Sequence, residues 1–301
     1  MSSASQVHVI VNPASGRGRG ARVLERVRAA FGAVGISRIS LTSRDENESL
    51  LARRAIDGGA TTLVAVGGDG TWSNVANALL HTNPDCRLAL IAAGTGNDFA
   101  KTAGVPARDI EATARLSVDG PDTRIDVGRV EDRYFLNALG VGFDVAVLER
   151  CARTPWLNGD ALYLYAALRE LTGYRGIDVD VNVDGTAHGN RRHLLLVVAN
   201  GRRFGGSFQI APDASLLDGL LDVVAIHDAS SARRLHLFSK AVRGTHGAEA
   251  DVRTAHAASL ELRFSSAPAY DVDGEYLRHD SNVLSVSCVP GTLRIVGMGN
   301  G

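Results

Sequence analysis

The sequence predicts an α/β N-terminal domain, a parallel sheet flanked by helices, followed by a mainly β C-terminal domain of the sandwich type. Three observations carry this. The apolar runs Val7–Val11, Thr62–Val66 and Arg87–Ala92 each lead into a glycine-rich loop and then a helix-like pattern, the unit from which parallel sheets are built. After Gly120–Arg124, whose Asp-Gly-Pro-Asp run suits a linker, the texture changes to short strands with turn residues between them. At 301 residues the chain is long enough for two domains of ordinary size. The expected boundaries are 1–124 and 125–289.

Composition narrows the class. A formal net charge of −1 offers no electrostatic case for nucleic acid. Hydrophobic content of 45% with 5% aromatic is an ordinary soluble α/β balance. Cys86, Cys151 and Cys288 lie far apart with no C-x-x-C spacing, which fits buried thiols in a reducing compartment. Met1–Gln6 lacks the pattern of a signal peptide, and no apolar run approaches the ~18 residues of a membrane span. A cytoplasmic protein is expected.

Val7–Val11 is read as a first buried strand running into Asn12-Pro13-Ala14-Ser15-Gly16-Arg17-Gly18, with Ala21–Phe31 at helical spacing behind it. Ile36–Thr42 is a second strand and Glu46–Ile56 a second helix. Thr62–Val66 breaks at Gly67-Gly68, places Asp69 at the bend, and Gly70-Thr71 opens a helix running to about Leu80. Arg87–Ala92 ends at Ala93-Gly94-Thr95-Gly96-Asn97-Asp98-Phe99, and Asp109–Val118 is a further helix. Glycines let a ligand approach backbone N–H groups, and a helix N-terminus suits an anion. A carboxylate in such a loop makes sense with Mg2+ between it and a phosphate. Gly-Gly-Asp-Gly alone also fits a plain strand–turn–helix corner. Three such loops at the ends of successive strands would converge on one crevice, which points to a nucleotide-phosphate site. The first loop lacks the Gly-Lys-Ser/Thr ending of a Walker A motif.

Beyond the linker, strands are expected at Ile125–Val130, Tyr134–Leu139, Ile177–Val183, Leu194–Ala199, Gly219–His227, Ser259–Phe264, Ala269–Val272, Asn282–Cys288 and Thr292–Val296. Helices are expected at Phe143–Cys151 and Ala161–Thr172, with Leu162, Leu164, Tyr165 and Leu168 read as a core stripe on the second in preference to a lipid-facing surface. By themselves, Asp126, Asp273-Gly274-Glu275 and Asp218-Gly219 read as turn carboxylates.

The ordered set Asn12-Pro13-Ala14-Ser15-Gly16, Gly67-Gly68-Asp69-Gly70-Thr71, Gly94-Thr95-Gly96-Asn97-Asp98-Phe99-Ala100 and Asp273-Gly274-Glu275 resembles the diacylglycerol kinase catalytic family, itself related to NAD kinase and phosphofructokinase-like folds. Phe204-Gly205-Gly206, Ala211-Pro212-Asp213-Ala214 and Leu217-Asp218-Gly219-Leu220-Leu221-Asp222-Val223 resemble its second domain. The likeness covers essentially the whole chain and is closest to the soluble bacterial lipid kinases. Ser207 stands where many relatives carry a further glycine. The resemblance implies an active site between the two domains, and a C-terminal segment, 290–301, that returns to the first.

The resemblance also implies residue roles. Asn12, Pro13, Ser15, Gly16, Thr42, Gly67, Gly68, Asp69, Gly70, Thr71, Asn74, Gly94, Thr95, Gly96, Asn97 and Asp98 would hold ATP. Asp69 and Asp126 would stand near a catalytic Mg2+, Glu275 would accept the proton of a lipid hydroxyl, and Asp273 would assist. The carboxylate of Asp218 with the carbonyls of Ser215 and Leu220 would hold a second, structural Mg2+. A lipid kinase without a span must reach the bilayer by reversible peripheral contact on the inner face, and an exposed sheet edge could support a homodimer. The rivals are an NAD kinase or other small-alcohol kinase, and a nucleotide-binding regulator that has lost catalysis. No H-E-x-x-H or Gly-x-Ser-x-Gly pattern is present, which argues against a zinc site and a serine hydrolase.

Overall fold

The computed structural model describes residues 6–154, 157, 159–206 and 208–298. Met1–Ser5, Ser207 and Gly299–Gly301, on which expectations were stated above, lie outside them, as does the side chain of Leu164. The chain divides into two compact units. Unit 1 is Met1–Val127 with Leu216–Asp218 and Val289–Gly301, and unit 2 is Gly128–Ser215 with Gly219–Cys288.

Unit 1 is a parallel sheet of β1 (Val7–Val11), β2 (Ile39–Leu41), β3 (Thr62–Gly67), β4 (Arg87–Ala92) and the end of β15 (Val283–Val296). The spatial order is β15-β4-β3-β1-β2. The order reverses between β1 and β3, and in open α/β sheets ligands bind beyond the carboxyl ends of the strands at such a reversal. Every residue of β3 is buried, as a parallel strand covered on both faces requires. Helix α1 (Ser15–Ala33) packs with α5 (Ile110–Asp119), and α2 (Glu48–Asp57) with α3 (Asp69–Thr82). Val27 and Phe31 of α1 and Ile110 and Ala114 of α5 share a core with Val9, Val64 and Ile91. Full burial of a side chain such as Phe31 contributes about 1.5–3 kcal/mol. Side-chain caps set two helix starts: Asn47 accepts from the Leu50 N–H and Asp109 from the Ala112 N–H, at 3.0 and 2.9 Å. A short helix, α4 (Asp98–Ala103), follows the loop after β4.

Unit 2 is built on β6 (Arg133–Phe135), β7 (Ala138–Gly142), β8 (Ile177–Val183), β9 (Thr186–Ala199), β10 (Leu221–His227), β11 (Val252–Ala257), β12 (Ser259–Phe264), β13 (Ala269–Val272), β14 (Glu275–Arg278), the start of β15 and the end of β5 (Asp122–Val130). Antiparallel pairing runs β14-β13-β7-β9-β8-β12-β15, with β10 also on β9 and β11 on β10. One face carries a core of Leu196, Val198, Val223, Leu260, Leu262 and Val286. The other carries Leu194, Leu195, Val197 and Ile226, which share a core with Phe143 of α6 (Phe143–Ala152), Leu171 of α7 (Gly159–Gly173) and Leu237 of α8 (Ser231–Val242). Leu194 and Leu195 face the same way because β9 bulges against β10 between Ile226 and His227.

Several elements differ from expectation for identifiable reasons. The strand expected over Tyr134–Leu139 is two, β6 and β7, because the N–H groups of Leu136 and Asn137 turn to the Asp273 carboxylate. The strands expected at Asn282–Cys288 and Thr292–Val296 are one, since the Gly291 N–H at the break donates to Asp126 Oδ1 at 2.8 Å. Helix α8 and strands β11 and β14 were not anticipated. Arg and His interrupt the apolar pattern of α8, although Ser230 caps its start. The stripe on α7 is not a core stripe: Ala166 and Leu171 are buried, whereas Tyr165 and Leu168 are exposed.

Candidate functional site

The loops after β1, β3 and β4 meet within unit 1. Gly16 has φ +55°, and a Cβ there would stand 2.0 Å from the Ala93 carbonyl oxygen, so the first loop lies against the third with room only for glycine. Arg19 Nη1 donates to the Gly94 carbonyl at 2.6 Å from the same side. Gly68 and Gly94 approach so closely that a Cβ on Gly94 would stand 2.4 Å from the Gly68 Cα. Asn97, at φ +52°, closes the third loop: its Oδ1 accepts from the Gly94 N–H at 3.1 Å and its Nδ2 donates to the Gly94 carbonyl at 3.0 Å. Asp69 Oδ1 accepts from the Phe99 N–H at 3.0 Å, tying the second loop to the start of α4. Asp98 is buried and pairs with Lys101 at 2.9 Å.

A side-chain network braces the first two loops. Asn12 Nδ2 donates to Glu48 Oε1 at 2.8 Å and to Thr71 Oγ1 at 3.1 Å, and Thr71 Oγ1 donates to Glu48 at 3.2 Å. Ser15 Oγ donates to the Asn12 carbonyl at 2.8 Å, and the Pro13 carbonyl accepts from the Ala21 N–H. The Thr42 N–H donates to the Val11 carbonyl, the Asn74 carbonyl accepts from Ser49 Oγ, and Gly70 and Thr95 are exposed. Thus Asn12, Pro13, Ser15, Gly16, Gly67, Gly68, Asp69, Thr71, Gly94, Gly96, Asn97 and Asp98 are brought to one end of the sheet. The Cβ-excluding cradle of these loops fits a phosphate chain, and Asp69 supplies a hard oxygen of the kind Mg2+ takes. Sequence reasoning missed Glu48 and gave Arg19 no task. Glu48 reads as an ordinary first-turn acid of α2, and only its hydrogen bonds single it out.

Asp126 is buried, and two of its hydrogen bonds tie backbone segments together. Its Oδ1 accepts from the Gly291 N–H, and its own N–H donates to the Leu216 carbonyl at 2.8 Å. It therefore holds the returning segment Leu216–Asp218 and the end of β15 within unit 1. Of the residues assigned to a second Mg2+, Asp218 falls in unit 1 and Ser215 and Leu220 in unit 2. Among the described residues no group of three or more His, Cys, Asp or Glu side chains is arranged to hold a metal.

In unit 2, Asp273 occupies the αL position of the β13–β14 turn at φ +52°. Its Oδ1 accepts from the Asn137 and Ala138 N–H groups at 2.8 and 3.2 Å, and its Oδ2 from Leu136 at 2.8 Å. Glu275 is 49% exposed on its side chain and pairs with Arg133 at 2.5 Å. Behind the turn stand two buried carboxyls that sequence reasoning did not single out, Asp144 and Asp271. Asp271 Oδ1 accepts from the Gly274 N–H at 2.7 Å. Burial first, then the neighbouring Asp144 charge, pushes the Asp271 carboxyl well above the ordinary range, and burial does the same to Asp144. The Asp144 carboxylate meets only the backbone N–H groups of Val145 and of Asp144 itself, and among the described residues no other side chain bonds to it. Asp144 also lines an apolar cavity of about 180 Å3, with Phe143, Leu168, Leu171, Phe204, Phe208 and Phe238.

These features define a protein whose first unit is a doubly wound sheet bearing a glycine-loop cradle and whose second is β-rich and acid-bearing. Residues 6–130 match the diacylglycerol kinase catalytic domain, and residues 137–297 match the YegS C-terminal NAD kinase beta sandwich-like domain. The diacylglycerol kinase of Mycobacterium tuberculosis (strain ATCC 25618 / H37Rv) is 31% identical over 303 residues, covering 97% of this chain and 94% of that one. That of Bacillus subtilis (strain 168) is 28% identical over 278 residues, 90% of each chain. The crystal structure of a diacylglycerol kinase from Bacillus anthracis str. Sterne shares the fold, with a TM-score of 0.72 at 21% identity over 97% of this chain and 96% of that one. A second solved structure from that organism reaches 0.79 at 22% identity, over 97% and 95%. The chain belongs to the diacylglycerol kinase family. Among the described residues no helix is long and apolar enough to cross a membrane.

Proposed function

We propose that the protein transfers the γ-phosphoryl group of ATP to a hydroxyl of a diacylglycerol-like lipid. The observation that carries this is the meeting of the three glycine loops at the β1–β3 reversal, where Gly16, Gly68 and Gly94 leave no room for a Cβ. Backbone N–H groups brought that close can surround a phosphate chain, with Arg19 and the Asn12–Glu48–Thr71 network holding the loops in place. Mg2+, when bound, neutralises charge on the phosphoryl oxygens, and Asp69 is the carboxylate offered to it. Glu275 is assigned to take the proton of the lipid hydroxyl as its oxygen bonds to phosphorus. Asp273, with both oxygens engaged by backbone N–H groups, is assigned to shape the turn that presents it. The Asp218 carboxylate with the Ser215 and Leu220 carbonyls is proposed as the structural Mg2+ set.

The lipid acceptor is supported by the relatives' names and by the apolar cavity of unit 2, whose lining residues Leu168 and Leu235 are 53% and 57% exposed. A cavity of apolar walls with one buried acid fits an acyl glycerol better than a sugar or a dinucleotide. Peripheral contact with a bilayer follows from such an acceptor. The test is transfer of labelled γ-phosphate from ATP to a panel of lipids in mixed micelles with Mg2+, with NAD and short alcohols as parallel acceptors. Phosphorylated lipid from the wild type, lowered about 100-fold or more in Glu275→Gln, is the expected result for loss of a general base. Label on NAD or a short alcohol alone would overturn the lipid acceptor, and full activity in Glu275→Gln would remove that residue's role.

A further inference from the structure

A second cavity, of about 320 Å3, opens on the opposite face of the unit 2 sheet, among β8, β9, β10 and β11. The β9 bulge creates it. Leu194 and Leu195 both turn to the helix-covered side, so Arg191 and His193 below them point the same way as Leu196 above. His193 lies directly across from His227, with ring centroids 5.2 Å apart and planes tilted by 31°. Arg253 is brought in from β11, where it pairs with Ala225. The floor is apolar, formed by Leu196, Val223 and Ala225, and the rim is cationic.

The acids nearest this rim, Asp178 and Asp251, act on His193 and His227 but are each paired with another arginine. Asp178 is taken up by Arg192 and Asp251 by Arg233, each at 2.7 Å. The Arg191 side chain forms no hydrogen bond or ion pair among the described residues, and that of Arg253 donates only to the carbonyls of Ala250 and Val252. At the cavity wall, His193 is 3% exposed, yet neither ring nitrogen has a hydrogen-bond partner. A buried imidazole with both nitrogens unpaired costs stability unless a ligand completes it. Burial, the neighbouring His227 and Arg191, against the opposing charge of Asp178, push its basicity down to about 4, so it presents a neutral ring with one N–H.

We infer that this cavity binds an anionic amphiphile: an oxyanion head held by Arg191, Arg253 and the His193–His227 pair, with an apolar body on Leu196 and Val223. Guanidinium groups match phosphate and carboxylate oxygens, and the apolar floor selects for a hydrocarbon portion. None of these residues belongs to the loops or the acidic turn of the proposed kinase site, so the site is separate from that reading.

The test follows the imidazole signals of His193 and His227 by NMR during titration of the full chain with octyl phosphate, inorganic phosphate and octyl glucoside. Octyl phosphate is expected to shift both signals, to raise the pH at which His227 titrates, and to bind at least about tenfold more tightly than inorganic phosphate. Octyl glucoside is expected to leave both unmoved. Arg191→Gln with Arg253→Gln is expected to weaken octyl phosphate by about tenfold or more, the loss of a charge-assisted hydrogen bond, with the melting temperature unchanged. Unmoved imidazole signals, undiminished binding to the double variant, or inorganic phosphate binding as tightly as octyl phosphate would each overturn the assignment.

Discussion

The carboxylate of Asp69 accepts a hydrogen bond from the backbone N–H of Phe99 at 3.0 Å, so the acid of one glycine loop fastens the helix that begins in another. This separates two tasks within one side chain. Asp69→Asn keeps an acceptor for Phe99 and removes the charge, whereas Asp69→Ala removes both. Asp69→Asn is therefore expected to melt within a few degrees of wild type while transferring phosphate at least about 100-fold more slowly. Asp69→Ala is expected to lose activity and about 1–3 kcal/mol of stability, the cost of an unmade bond to a charged acceptor. Urea unfolding and turnover of the two variants check this, and equal stability loss in both would show that the charge itself holds the loop.

Gly16 and Gly18 form a matched pair. Both have positive φ, +55° and +80°, but a Cβ on Gly16 collides with the Ala93 carbonyl while nothing lies within 4 Å of one on Gly18. Gly18→Ala is expected to cost only backbone strain, about 1 kcal/mol. Gly16→Ala must also push the first loop off the third, and is expected to destabilise by more than that and to abolish nucleotide binding. Thermal melts with and without ATP distinguish the two. Similar behaviour of both variants would mean that the first loop does not depend on its contact with Ala93.

The buried acids behind the turn carry a pH dependence with a definite sign. Burial raises the Asp144 and Asp271 carboxyls well above their ordinary value of 3.8, and the Asp144 charge raises Asp271 further. Raised carboxyls keep protons that the unfolded chain has released, so their contribution is complete below about pH 4 and is lost as pH climbs through the raised range of the pair. Asp144→Asn removes a proton-binding group without changing its shape. Relative to wild type, its stability is expected to fall less between pH 5 and pH 8.5. Parallel pH profiles of unfolding free energy for the two proteins would refute the shift.

Leu168 and Leu235 line the apolar cavity and are more than half exposed. Leu168→Ser with Leu235→Ser is expected to raise KM for a long-chain acceptor by about tenfold, in line with the transfer energy of a partly buried leucine. KM for ATP and the melting temperature are expected to stay unchanged. An effect on ATP in place of lipid would remove the cavity from the acceptor site.

Much of this architecture was legible in the sequence because it is local. An apolar run, a glycine cluster and a helical repeat lie next to one another at Val7–Phe31, Thr62–Thr82 and Arg87–Ala103, and each states its own geometry. The same locality made Asp69 stand out, whereas the Asp273-Gly274-Glu275 turn was singled out only by the family resemblance. The helix over Ser231–Val242 was less legible, because its buried Arg234 is satisfied by Asp228 and by the carbonyls of Leu171 and Tyr174. A buried arginine breaks the apolar pattern that marks a helix face.

The sequence by itself determined the strand–loop–helix order, the glycines that admit a ligand to the backbone, and the acids available to a phosphoryl-transfer site. Tertiary structure alone decided what those groups touch. Glu48 braces Asn12 and Thr71 because α2 packs against α3, and Asp126 holds Gly291 because β15 returns to lie beside β4. Asp144 raises the proton affinity of Asp271 because β7 and β13 pair. His193 faces His227 because a single bulged residue turns the lower half of β9 over. Side-chain chemistry is written one residue at a time, but burial, pairing and register are properties of elements far apart in the chain, which only the packed fold brings together.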